Sequence, residues 1–168
     1  MKNKKLILPI AGLAIMSLAV PVFAADLNKD TTTGTTVVSY GVDSGYTVSI
    51  PSAVNFTSST LTQSGQVTAS NVIIENGKTL KVKMTSANYT EEDGYTLNYG
   101  DGEVSKIKYT IKNGDVDFVN GASVLEVAAG TTAGGTSTLN FATTTEDIEA
   151  ATKSGEHKDT LTFTVSVE

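Results

Sequence analysis

Apolar side chains fall at every second position along much of this chain, and that period constrains the fold more than any other feature. Tyr46, Val48 and Ile50 alternate with Thr47 and Ser49; Leu80, Val82 and Met84 alternate with Lys81 and Lys83. Tyr95, Leu97 and Tyr99 enclose Thr96 and Asn98, and Ile107, Tyr109 and Ile111 enclose Lys108 and Thr110. The last run sets Leu161, Phe163, Val165 and Val167 against Thr162, Thr164 and Ser166. A period of two places one set of side chains on each face of a strand, so each run predicts a half-buried β-strand with its apolar face inward. Weaker runs at 36–40, 66–74, 116–119, 124–127 and 136–141 are read as further strands.

The polar partners in these runs are mostly Thr, whose branched Cβ suits a pleated surface better than a helix. Glycines and Asx residues punctuate the runs. Residues 42–45 separate the first two expected strands, and Glu75-Asn76-Gly77-Lys78 is read as a type I′ hairpin turn, with further reversals at Asp93-Gly94, residues 100–102 and Asn113-Gly114-Asp115. One segment departs from the period. Residues 143–155, TTTEDIEAATKSG, predict a short helix with Thr143 and Glu146 as a capping box, Glu149 and Lys153 as an i,i+4 pair, and Gly155 as its stop. The expected fold is therefore all-β: an Ig-like antiparallel β-sandwich of about eight or nine short strands with one short helix near 143–154.

The first residues have a different character. Lys2, Lys4 and Lys5 precede an apolar run from Leu6 to Val20, and Val22-Phe23-Ala24 supplies a small-x-small cleavage site. That layout is a secretory signal peptide over 1–24, with the mature chain beginning at Ala25. The apolar stretch falls short of the roughly 20 residues a membrane span needs. Residues 25–35 read as a flexible polar arm and 36–168 as a single sandwich domain. No C-terminal apolar tail or sorting motif follows the last strand, so the expected location is secreted and cell-surface associated without a covalent anchor. The net charge of −6 becomes more negative once the leader lysines are lost, which argues against nucleic acid or an anionic membrane as partner. The chain has no cysteine, so its stability has to come from its core or from assembly rather than from disulfides.

Candidate chemistry is sparse. The one histidine, His157, lies before the last strand with no G-x-S-x-G near any serine, and reads as a surface residue rather than a triad base. Asn113, Asp115 and Asp117 have the alternate spacing that opens a calcium loop, but turn chemistry accounts for them. Glu91-Glu92-Asp93 and Glu146-Asp147 are paired carboxylates of the kind glycosidases use, yet they occupy an expected loop and a helix start. Tyr89 is the one tyrosine expected to be exposed on a loop, the position a sugar-binding platform needs, and a lone ring is a weak platform. Asn55-Phe56-Thr57 and Asn88-Tyr89-Thr90 match the glycosylation pattern. Lys81, Lys83, Lys106 and Lys108 fall on the polar phase, which disfavours a buried Lys–Asn isopeptide bond. No catalytic, cofactor-binding or metal residue is assigned.

Two stretches carry a family resemblance. Tyr40-Gly41-Val42 with the run from Gly45 to Pro51, and Gly155 with Asp159-Thr160-Leu161-Thr162-Phe163-Thr164-Val165, resemble small secreted surface proteins of Gram-positive bacteria, of the WxL-like and adhesin-like group. The closing strand is also similar to that of pilin-type and spore-coat-type sandwich domains. The W-x-L signature itself is absent. The resemblance implies an immunoglobulin-like sandwich with a structural or adhesive role and no catalytic residues. The expected function is a secreted, non-enzymatic surface or adhesion protein whose partner is a surface protein, a glycan or a second copy of itself. The alternative is a carbohydrate- or host-ligand-binding module.

Overall fold

Ten strands and one helix follow one another through the computed structural model, which describes residues 38–100, 105–131 and 133–168. They are β1 (Gly45–Ser49), β2 (Thr62–Ile73), β3 (Thr79–Ser86), β4 (Tyr95–Tyr99), β5 (Lys106–Asn113), β6 (Val116–Asp117), β7 (Ser123–Ala128), β8 (Gly135–Ala142), α1 (Thr145–Glu149), β9 (His157–Lys158) and β10 (Leu161–Val167). All lie within the unit Ser44–Glu168. The fold is all-β, as the alternation predicts. A larger antiparallel sheet runs β1-β2-β8-β5-β4-β9, with β6 paired to β5, and a smaller one runs β10-β3-β7. The two pack in a sandwich-like arrangement in which β7 lies against β2 and β8. The expected leader, its cleavage site and the polar arm at 25–35 lie outside the described residues. So do Thr36 and Val37 of the expected strand at 36–40; residues 38–40 belong to no strand.

The core forms where the alternation is cleanest. Leu80, Val82 and Met84 of β3, the middle strand of the small sheet, are fully buried against Val67, Leu139 and Phe141 of the large one. β10 is an edge strand, and its Leu161, Phe163 and Val165 are only partly buried. Two bulges explain the runs that look weak in sequence. Between Gly45↔Ile73 and Thr47↔Ser70, β2 carries one extra residue, and Asn71 takes the left-handed conformation, φ 52°, that Asn tolerates. The buried phase of β2 therefore shifts from Val67 and Ala69 to Val72. In β7, Val82↔Leu125 is followed by Lys83↔Ser123, so Val124 and Leu125 are buried side by side.

Three local expectations are corrected. Glu75-Asn76-Gly77-Lys78 is not a hairpin, since β2 and β3 belong to different sheets. Lys78 N–H donates to Glu75 O at 3.1 Å, Gly77 has φ 81° and Asn76 keeps a negative φ, which is the type II pattern of a sheet-to-sheet crossing. The helix is five residues long and its N-cap is Thr144: its hydroxyl accepts from Asp147 N–H and donates to the Asp147 carboxylate. Thr143 is buried and donates to Lys108 O. The helix ends at Glu149, before Lys153 could complete the expected pair, and Gly155 sits well beyond it. Thr96, expected on the outer face of β4, is buried, because residues 87–94 fold over that face and Asn88 exchanges hydrogen bonds with it.

Candidate functional site

Polar side chains gather at two places, both where residues between α1 and β10 meet the large sheet. The first is centred on Asp159, just before β10. Its Oδ2 accepts from Ser86 Oγ at 2.6 Å and from Tyr109 Oη at 2.5 Å. Its Oδ1 accepts from the backbone N–H groups of Asn88 (3.2 Å) and Thr160 (2.7 Å). Asn88 extends the network by donating to Lys158 O and Thr96 O. Tyr109 stands on the inward phase of β5, so its hydroxyl enters the interior and needs an acceptor there. Burial, followed by the hydrogen bond to Asp159, pushes the Tyr109 hydroxyl far above the usual tyrosine range. The Tyr95 ring packs against Tyr109 and Tyr89 with centroids 5.6 and 4.9 Å apart, and burial pushes the Tyr95 hydroxyl up to about 12.

The second cluster joins Ser105 to His157, a pairing that nothing in the sequence announced. Ser105 Oγ lies 2.9 Å from His157 Nε2. It also accepts the backbone N–H groups of Thr152 (3.0 Å) and Lys153 (3.2 Å), and Ser105 is only 3% exposed. With both acceptor directions filled, the hydroxyl proton points at Nε2, and the ring proton on Nδ1 donates to Gly155 O at 3.1 Å. The His157 ring packs on Tyr99, 5.5 Å between centroids. Gly155, at φ 127°, lies so close to Tyr99 that a Cβ there would stand 2.8 Å from the ring. A serine nucleophile needs an accessible oxygen with a lone pair free for the carbonyl carbon, together with a base oriented by a third group. Here the lone pairs are held by main-chain amides and the imidazole is oriented by a main-chain carbonyl. The pair ties residues 152–157 to the start of β5.

The other sequence candidates sit apart from one another. The Asn113 side chain donates to Val124 O and accepts from Ser137 Oγ, bridging β5 to β7 and β8, whereas Asp117 faces Lys112 at 3.7 Å. Glu91 and Glu92 are exposed, while Asp93 bonds Lys106 at 2.7 Å and lies 3.8 Å from Lys108. The Lys106 hydrogen bond holds the Asp93 carboxyl below the ordinary aspartate range. Asp147 caps α1. Tyr89 is half-buried on the core, not exposed as its loop position suggested. Asn55 is exposed, but the Asn88 amide nitrogen is engaged by Lys158 O and Thr96 O. Lys81 and Lys83 lie on the outer face of the small sheet, 3.2 and 3.6 Å from the Glu168 carboxylate. The hydrogen bond between Lys81 and Glu168 raises the lysine's pKa and lowers the glutamate's.

No family model, curated protein or solved structure matches the chain. Among the described residues, no helix is long and apolar enough to cross a membrane.

Proposed function

We propose that this chain is an exported, non-enzymatic β-sandwich that serves as a structural or adhesive element at the cell surface or in the extracellular space. The observation that carries the reading is the commitment of the two polar clusters to architecture. Asp159 receives four hydrogen bonds from its own chain, and Ser105, the serine nearest the histidine, holds two main-chain amides. The basic and apolar start of the sequence supports export. The sugar-binding alternative loses its nominated platform, because the Tyr89 ring packs on Tyr95. Fractionation of producing cells with mass spectrometry of each fraction tests the reading. The expected result is a product starting at Ala25 in the medium or cell-surface fraction. A cytosolic product still carrying Lys2 to Val20 would overturn it.

A further inference from the structure

We infer that residues 38–42 of one copy add as a strand to the open edge of β10 in a second copy. The inference deepens the surface-assembly reading above by naming the partner and the contact, and it rests on that reading.

The acceptor is defined by how the four sheet edges among the described residues differ. β9 is two residues long; β1 is short and sits opposite a bulge; β7 is bulged and carries Glu126. Short length, bulges and charges are the features that keep sheet edges from pairing. β10 has none of them: seven residues, LTFTVSV, without charge or proline, in unbroken register with β3 from Leu161↔Ser86 to Val167↔Leu80. Its free backbone groups can be assigned. Glu168 and Thr79 exchange both main-chain hydrogen bonds, and Ala87 N–H donates to Thr160 O. Bonded pairs alternate along an antiparallel ladder, so the even-numbered residues of β10 face β3. The N–H and C=O groups of Leu161, Phe163, Val165 and Val167 therefore point to the open side. The side chains of the first three of these are the half-buried ones of the core.

The donor fits that edge. Val38, Tyr40 and Val42 are 93, 92 and 64% exposed and occupy alternate positions with Ser39 and Gly41 between them. Paired across from β10, these three would share the face of Leu161, Phe163 and Val165 and extend the apolar layer by one strand. A chain's own β10 is beyond the tether. Gly45 begins β1 at one end of the large sheet, whereas β10 follows Asp159, which bonds Tyr109 of β5, three strands away. Three strand spacings and the gap between sheets amount to roughly 17 Å, and the three residues from Val42 to Gly45 reach at most ~10 Å. Main-chain pairing then supplies affinity, and the alternate side chains supply register.

The test uses the secreted protein and two variants. Val38→Lys with Tyr40→Lys disables the donor outside the folded sandwich. Val165→Pro removes a main-chain N–H that β3 does not use, and its circular dichroism reports whether it folds. Light scattering over a dilution series should show concentration-dependent multimers for the unaltered protein and a monomer for each variant. A mixture of the two variants should stop at dimers, because one donor and one acceptor remain between them. A peptide of residues 35–42 should cap the multimers of the unaltered protein. A monomeric unaltered protein at every concentration, or multimers that survive the donor variant, would overturn the inference while leaving the export result untouched. If Val165→Pro fails to fold, the donor variant and the peptide decide.

Discussion

Replacing Asp159 by Ala should be among the most damaging single changes to this domain that leave its apolar core intact. The carboxylate accepts four hydrogen bonds, two from hydroxyls and two from main-chain amides. Hydrogen bonds to a charged group contribute about 1.5–3 kcal/mol each, less where water can take over. Ser86, Asn88 and Thr160 lie near enough to solvent to recover part of that loss, whereas Tyr109 is buried and would be left with an unsatisfied hydroxyl. A net cost of about 3–4 kcal/mol follows, a large share of the ~5–15 kcal/mol stability of a small domain. Tyr109→Phe removes the donor as well as its need for an acceptor, and should cost only ~1–2 kcal/mol. In the double variant the second substitution should cost less than it does alone, leaving a coupling of about 1–2 kcal/mol. Urea denaturation of the four proteins, with a common m value, measures these terms. A loss below ~1 kcal/mol for Asp159→Ala, or strictly additive losses, would refute the view that this carboxylate joins the sheets.

Phe163→Asp should destabilise the fold by ~2–4 kcal/mol, since Phe163 is half-buried opposite Met84, while Thr164→Asp on the outer face should stay within ~0.5 kcal/mol, as read from paired thermal melts. Ser105→Ala should cost about 1–3 kcal/mol and speed hydrogen exchange at the Thr152 and Lys153 amides, which lose their acceptor. Gly134→Ala should cost more than ~3 kcal/mol in the same melts, because its φ is 80° and a Cβ would lie 1.8 Å from Ala69 O. Tyr95 and Tyr109 have raised folded-state pKa values, so their contribution is complete below the ordinary tyrosine value of 10.0 and is lost as pH rises through about 12 and beyond. The last part of the phenolate absorbance in an alkaline titration should therefore appear together with the loss of the folded circular dichroism; ionisation of all six tyrosines in a still-folded protein would contradict this.

What could be read from the sequence depended on how far each segment's environment was set by its own residues. β3 sits mid-sheet and faces the core squarely, so its alternation was unambiguous. β2 and β7 each contain an extra residue that shifts the phase, and a fixed period of two loses such strands at Asn71 and Val124. Thr143, Thr144 and Thr145 are equivalent as caps by residue type. The choice of Thr144 follows from a tertiary bond, Thr143 to Lys108 O, that only the folded chain supplies. The polar clusters were harder still, since Ser105 and His157 are 52 residues apart and Ser86 and Asp159 are 73 apart, with no spacing rule to link them. One signal was available: a tyrosine on the inward phase of a strand, as at Tyr109, requires an acceptor for its hydroxyl, and Asp159, just before the last strand, is an acceptor that its neighbour Thr160 satisfies only in part.

The two clusters also explain how a domain without cysteine can hold a long crossing. Between β8 and β10 the chain leaves the large sheet and reaches the small one with only a five-residue helix and a two-residue strand on the way. Ser105 fastens the middle of that crossing to β5, and Asp159 fastens its end to β3 and β5. A disulfide at either point would act chiefly by restricting the unfolded chain, so it would persist when the native packing loosened. Hydrogen bonds act only on the folded state and disappear with it. The crossing and β10 should therefore open together, as one cooperative unit below the global stability of the β2-β8-β5 and β3 core. That unit contains β10, the edge proposed above to accept a strand from a second copy, so loosening the network that holds Asp159 should also weaken that pairing.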